Sequence, residues 1–386
     1  MKDYIYVDNS STTKLSEKAY VKMLPFLREE YGNASTTYEL GRKAREAVET
    51  AREKISKCLN VDKEEIYFVG SGTEADNMAL RGIAHKNMNK GKHIITSKFE
   101  HSAILNTCKQ LEKEGFEITY VDVEENGIID VAKIKEAIKN DTILISIMYV
   151  NNEIGTIQKI DEIAKIAREN NILFHTDAVQ AVPHIKIDAS KYDALSISAH
   201  KFNGPKGIGV LYLNKNVQVE PIIFGGHQEK GLRPGTENVS EIVGMAEALE
   251  QTYINMEKNN CYERKLRDYL LNNILESIPG VSINGDLDNR ICSNINISID
   301  GINTSDLMVF LDMEGICATT SSACNSGHDN ITHVMKAIGH NTTSLRMTVS
   351  KDNTFEEMDK IVKVIKNAVE IIKKRQNCYK RITNLK

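Results

Sequence analysis

The chain has 386 residues, 41% of them hydrophobic and 26% charged, with a formal net charge of −4. That length buries a large core and predicts two domains, and the near-neutral balance excludes a nucleic-acid surface spread over the whole body. Residues 1–10 lack the apolar run of a signal peptide, and the longest apolar strand-like run, 143–150, is far too short to span a bilayer. The seven cysteines (Cys58, Cys108, Cys261, Cys292, Cys317, Cys324 and Cys378) are odd in number and lack Cys-x-x-Cys spacing. This argues against a disulfide framework and a structural zinc site, and predicts a cytoplasmic protein with no metal ligands, no membrane contact and no direct nucleic-acid partner.

In chain order, residues 33–59 predict a long amphipathic helix, with Ala44, Ala47, Val48, Ala51 and Ile55 at helical spacing. Short apolar strands are predicted at 66–69, 93–96, 118–121, 143–148, 172–175, 194–197 and 208–213. Helical stretches at 76–85, 103–114, 131–139 and 160–170 separate several of them. This alternation predicts an α/β domain with a largely parallel sheet, in which ligands gather outside the carboxyl ends of the strands. After about residue 235 the pattern changes to a long helix (240–272) and a smaller α+β region. The latter holds strands at 293–299 and 345–349 and helices at 303–313, 332–338 and 354–374. We therefore expect a large domain over 15–259 and a small one built from 1–14 and 260–386. The basic stretch near the carboxyl terminus reads as a solvated helix end.

Chemistry-bearing residues cluster at the strand ends. The turn Gly70-Ser71-Gly72-Thr73 leads from a strand into a helix, where free backbone N–H groups suit a phosphate; a plain capped helix is the alternative. His101 follows the strand at 93–96, where an imidazole could stack on a cofactor ring and shuttle protons. Asn151-Asn152 ends another strand, where a side-chain amide could hold a substrate carboxylate or the cofactor edge, or simply make a turn. Asp177 ends the strand at 172–175, with Gln180 three residues on; an aspartate there either pairs with a protonated pyridine nitrogen or caps the next helix. Ser198-Ala199-His200-Lys201 precedes the Gly/Pro-rich turn Asn203-Gly204-Pro205-Lys206-Gly207. Lys201 there suits Schiff-base formation with pyridoxal phosphate, although a lysine on a surface turn is the alternative. Cys324 lies in the small, polar, glycine-ended segment Ser321-Ser322-Ala323-Cys324-Asn325-Ser326-Gly327, the setting of a reactive thiol, whereas Cys292 and Cys317 read as buried among apolar residues. Arg346 opens a strand and suits a bidentate grip on a carboxylate.

Taken in order, these motifs resemble the cysteine desulfurases of the class V, fold-type I pyridoxal-phosphate enzymes, the group of the nitrogen-fixation and iron–sulfur-cluster desulfurases. The resemblance runs nearly end to end. It includes Tyr6-Val7-Asp8-Asn9-Ser10-Ser11-Thr12-Thr13, Tyr31-Gly32-Asn33, Gly72-Thr73-Glu74-Ala75-Asp76-Asn77, Glu100-His101 and Asp177-Ala178-Val179-Gln180. It continues with Ser198-Ala199-His200-Lys201, Arg233-Pro234-Gly235-Thr236-Glu237-Asn238, Ser322-Ala323-Cys324 and Leu345-Arg346.

The resemblance implies a mainly parallel seven-stranded sheet with a smaller α+β C-terminal domain. It makes Lys201 the Schiff-base lysine, Asp177 the partner of the ring nitrogen, Gln180 that of the ring hydroxyl, and His101 the stacking, proton-transferring imidazole. Thr73, Ser198 and His200 become the phosphate set, with Thr236 reaching the phosphate of a neighbouring subunit in a homodimer. Asn152, Arg346 and Asn33 become substrate-binding residues, and Cys324 the acceptor of sulfur from L-cysteine. The implied reaction releases L-alanine and leaves a persulfide on Cys324 for a sulfur-acceptor protein, in iron–sulfur cluster, thio-cofactor or tRNA sulfur delivery. Tyr38, Ala34, the stretch after Cys324 and Ser350-Lys351 depart from the family pattern without removing a catalytic group. Rival readings are a selenocysteine lyase, a class V aminotransferase, or a catalytically weak scaffold for sulfur transfer.

Overall fold

The computed structural model describes residues 4–320 and 331–383, with side chains to residue 376. Cys324 therefore lies outside the described residues. The chain opens with a two-residue strand, β1 (Ile5–Tyr6), and a polar arm leads to the helices α1 (Glu17–Arg28) and α2 (Glu39–Leu59). Sequence patterning missed α1, because Pro25 sits inside it and only Ala19 and Met23 are buried. Ser16 starts the helix by accepting the Ala19 N–H at 3.3 Å. Residues 33–38, predicted as helix, instead form turns. Asn33 Oδ1 accepts the Ser35 N–H at 2.9 Å, which gives this backbone an alternative to the helical ladder.

Strand and helix then alternate as β2 (Ile66–Val69), α3 (Gly72–Asn87), β3 (His93–Ser97), α4 (Ser102–Lys113), β4 (Glu117–Val121) and α5 (Val131–Ala137). The series continues through β5 (Thr142–Ser146), α6 (Ile160–Glu169), β6 (Leu173–Asp177), β7 (Ala194–Ser198) and β8 (Gly209–Leu213). Seven strands form one sheet in the order β2-β8-β7-β6-β5-β3-β4. β8 runs antiparallel to both neighbours and the remaining pairs are parallel. Every residue of β3, β5, β7 and β8 is buried, because helices cover both faces of the sheet; the buried polar residues His93, Thr96, Ser97, Ser196 and Ser198 sit among the apolar ones in β3 and β7. One layer holds Val48, Ile55 and Leu59 of α2 with Ile163 of α6; the other holds Met78, Leu80 and Ile83 of α3 with Ile104 and Leu111 of α4.

α7 (Val239–Ser277) is 39 residues, about 58 Å at 1.5 Å per residue. Its first half packs Ile242, Met245 and Leu249 into the large core, and its second half sends Leu266, Leu270 and Ile274 into a separate one. That second core is closed by β9 (Val281–Ile283), β10 (Asn294–Ile299), α8 (Thr304–Met313), β11 (Ile316–Cys317), β12 (Thr319–Thr320), β13 (Leu345–Thr348) and α10 (Phe355–Thr383), whereas α9 (His333–Ala337) sends Val334 and Met335 into the large core. The small antiparallel sheet has the order β12-β13-β10-β9, and β1 pairs in parallel with β11. The amino-terminal arm thus leaves this two-stranded pair and crosses to the carboxyl ends of the large sheet.

Candidate active site

Lys201 closes a short 3-10 turn, Ala199–Lys201, that follows β7. The chain doubles back at Gly204, where an added Cβ would come within 2.8 Å of the Ala199 carbonyl oxygen, so a bulkier residue would force the turn open. Lys201 Nζ donates to the carbonyl oxygens of Ser10 (2.5 Å) and Ser11 (2.8 Å) on the amino-terminal arm. Burial and the Arg346 charge push its pKa down to about 8, against the opposing pull of Asp177 and Asp8. Gln180 is buried and donates from Nε2 to the Ser10 carbonyl at 2.8 Å, so arm, lysine and glutamine meet at one oxygen.

Asp177 ends β6, where its Oδ1 accepts the Val179 N–H at 2.9 Å. Burial raises its pKa, with His101 and Lys201 acting the other way. Behind it, His175 is buried between Ser146 Oγ (2.9 Å) and Ser196 Oγ (3.0 Å) on the flanking strands, and burial holds its pKa down to about 3. Asp76 of α3 lies 3.7 Å from that neutral ring, its pKa raised by burial and by Asp177. Glu100 is a further buried acid: Ser97 Oγ donates to it at 2.5 Å and Met148 N–H at 3.1 Å, and burial raises its pKa to about 8. Three buried carboxyls therefore converge where a cation would stabilise them. His101 caps α4, its Nδ1 accepting the Ala103 N–H at 3.2 Å, so the neutral ring carries its proton on Nε2.

Arg346 of β13 is buried and held from three sides. Nη1 donates to the Asn152 carbonyl (2.9 Å), and Nη2 donates to Asp8 Oδ1 (2.9 Å) and Ser11 Oγ (2.6 Å). Its Nε is buried without a partner among the described residues. Asn152 therefore meets Arg346 through its backbone carbonyl. At the start of α3, Ser71 Oγ accepts the Glu74 N–H, and the first-turn amides of Gly72 and Thr73 face out of the helix end. Gly72 keeps that end open: an added Cβ would stand 2.8 Å from Val179 Cγ2 and 3.4 Å from Ser198 Cβ. His200 Nδ1 lies 3.1 Å from Thr12 Oγ1, and burial together with Lys201 and Lys206 holds its pKa down to about 4.

Within one chain, Lys201, Gln180 and Arg346 meet on the arm, with Asp177, His101, Ser198, His200 and the α3 end around them. Asn33 and Thr236 are exposed and share no hydrogen bond with this group among the described residues. The arm's own role was not foreseen from sequence. The signal was the polar run Asp8-Asn9-Ser10-Ser11-Thr12-Thr13 straight after an apolar strand. The arrangement can hold a flat group with an anion at the α3 end and a cationic ring atom at Asp177, and can present an amine of lowered pKa to it.

The family described as Aminotransferase class-V matches residues 5–361, and the chain belongs to that family, with its fold-type I architecture. It is similar to the cysteine desulfurase IscS of Methanosarcina thermophila, with 45% identity over 379 residues covering 97% of this chain and 93% of that protein. A solved NifS-like protein matches with a TM-score of 0.90 at 34% identity, covering 96% of this chain and 100% of that one. A structure of SspA in complex with cysteine matches with a TM-score of 0.80 at 33% identity, covering 89% and 98%.

Proposed function

We propose that this chain is a pyridoxal-phosphate-dependent cysteine desulfurase that moves the sulfur of L-cysteine onto Cys324. The observation that carries the reading is the Lys201 amine, buried beside Arg346 and Asp177 with its pKa lowered to about 8, in a chain 45% identical to a cysteine desulfurase. The residues fit the cofactor. Lys201 would meet its aldehyde, Asp177 its ring nitrogen, Gln180 its ring hydroxyl and His101 its ring face; Thr73, Ser198 and His200 would hold its phosphate at the end that Gly72 leaves open. When bound, pyridoxal phosphate supplies an aldehyde that condenses with an amine and a ring that withdraws electrons from a substrate's Cα.

The chain's own groups do the rest. Burial and Arg346 lower the Lys201 pKa and so favour the free amine, which is placed to accept the substrate's Cα proton at Nζ. Arg346, braced by Asp8, Ser11 and the Asn152 carbonyl, offers its unpartnered Nε to the substrate carboxylate, with Asn152 and Asn33 assigned to the same task. Asp177 is raised by burial alone, and a facing cation returns it to the carboxylate. His101 holds a proton at Nε2 for the substrate or the thiol. The Cys324 thiolate takes the sulfur: the substrate's Cβ–S bond breaks and an S–S bond forms. Overall, L-cysteine and the Cys324 thiol become L-alanine and a Cys324 persulfide, which an acceptor protein then relieves of its terminal sulfur.

The active form is a homodimer in the cytoplasm, with Thr236 of each copy completing the phosphate site of the other. The exposure of Thr236 and an uncovered apolar face on α1 support this reading. Among the described residues no helix is long and apolar enough to cross a membrane. The test is one turnover with L-cysteine, with alanine and Cys324 persulfide quantified by mass spectrometry. Equal amounts of both are expected, with both lost in Cys324→Ser. A cofactor-loaded protein that makes neither overturns the assignment.

A further inference from the structure

Away from the Lys201 site, four side chains converge where the two cores meet. His184 lies on the segment after β6, Asn260 and Glu263 sit one turn apart on α7, and Cys292 enters β10. His184, Glu263 and Cys292 form the one group of three such ligands within 4.8 Å of one another among the described residues. The Cys292 sulfur is 3.5 Å from His184 Nδ1, 3.5 Å from Glu263 Oε2 and 3.3 Å from Asn260 Oδ1. His184 Nδ1 is 3.4 Å from both Glu263 Oε2 and Asn260 Oδ1. Four ligands bonded tetrahedrally to zinc at its usual Zn–N, Zn–O and Zn–S lengths stand about 3.3–3.6 Å apart. All five of these edges meet that spacing.

The atoms facing inward are also short of protons. Asn260 Nδ2 donates to the His184 carbonyl at 2.7 Å, which turns its Oδ1 toward the group. His184 Nε2 lies 3.1 Å from Ser293 Oγ, and with its proton given there Nδ1 presents a lone pair. Carboxylate, amide oxygen, imidazole nitrogen and sulfur then face one another, and among these four atoms the thiol is the donor. We infer that His184, Glu263, Cys292 and Asn260 form a closed, four-ligand zinc site. One sulfur, one nitrogen and a carboxylate are the borderline-soft set that suits zinc. Ser293 orients the imidazole from outside, as metal-bound histidines commonly require.

Two further features agree. Glu263 and Cys292 are buried, where a charged carboxylate or thiolate needs a cation beside it. Zinc binding displaces the thiol proton and any carboxyl proton into solvent. A cavity of about 540 Å³, lined by His184, Glu263, Lys351, Gln180 and Lys201, gives the ion an entry path. Sequence alone placed Cys292 among apolar neighbours and assigned no metal. The site spans residues more than a hundred positions apart, so no local spacing announces it. It pins the middle of α7 to both cores and does not depend on the desulfurase reading.

The experiment uses the full-length holoprotein, stripped with chelator and titrated with Co²⁺ and then Zn²⁺. We expect one zinc per chain by elemental mass spectrometry and tetrahedral cobalt d–d bands in the red, clear of cofactor absorption. Both should survive Cys324→Ser, and Cys292→Ser and His184→Ala should each lower affinity at least tenfold. Zinc should raise the melting temperature of the wild type and leave that of Cys292→Ser unchanged; the Ser variant's unfolding transition in zinc-free buffer checks that it folds. Octahedral cobalt, binding lost in Cys324→Ser, or binding unchanged in both His184 and Cys292 variants overturns the site.

Discussion

At the scale of single residues, the cofactor-free fold holds Lys201 against its own preference. Its pKa falls from 10.5 to about 8 through burial and Arg346. Between those values the unfolded chain binds more protons at this position than the folded one, so stability contributed here rises with pH from about 8 to 10.5. Below pH 8 the shift costs up to about 3 kcal/mol. Lys201→Met keeps the aliphatic stem and removes the charge. The cofactor-free variant should be about 1–3 kcal/mol more stable than the wild type at pH 7 in urea unfolding, with the gap closing toward pH 10.5. A gap that ignores pH would show that the amine is solvated. Residue types were legible from sequence where chemistry needs a rare placement, as with Lys201 and Asp177. The carbonyls of Ser10 and Ser11, which hold the lysine, were not, because any residue supplies a carbonyl and only the path of the chain selects one.

Among elements, α2 is tied to the segment before α7 by a buried pair. Arg52 donates from Nη1 and Nη2 to the two carboxylate oxygens of Glu229 (2.8 Å each) and from Nη1 to the Ile66 carbonyl (2.8 Å), and its guanidinium stands 4.7 Å over the Phe68 ring. Glu229 also accepts the Phe68 N–H at 2.8 Å and sits at φ 46°, a left-handed conformation that a non-glycine residue adopts only when held there. Removing Arg52 leaves a buried carboxylate alone. Arg52→Met should cost about 3–5 kcal/mol in urea unfolding, and adding Glu229→Gln should recover part of that. A loss under about 1 kcal/mol would mean that water reaches the pair. The central strands were readable because both faces of a covered sheet demand apolar side chains. β1, β11 and β12 were not, since two-residue strands exist only through their partners.

For the whole molecule, α1 buries Ala19 and Met23 and leaves Tyr20, Val21, Leu24 and Leu27 exposed. The proposed second copy, seated on this face, would account for four exposed apolar side chains on one short helix. On the proposed homodimer, Leu24→Glu should shift the protein from dimer to monomer in light scattering and, with Thr236 assigned across the interface, weaken cofactor binding; an unchanged dimer would place the interface elsewhere. Sequence by itself determined the α/β class and the order of the main helices and strands, and it supplied the candidates proposed to bind a cofactor and accept sulfur. These follow from periodicity and from residue chemistry, which are local. Only the tertiary structure decided that the amino-terminal arm lies under Lys201, that Asp8 braces Arg346, and that Cys292 faces His184 and Glu263. Those contacts join positions up to 338 residues apart. They depend on how α7 and the two sheets pack, and no window along the chain contains both halves of such a contact.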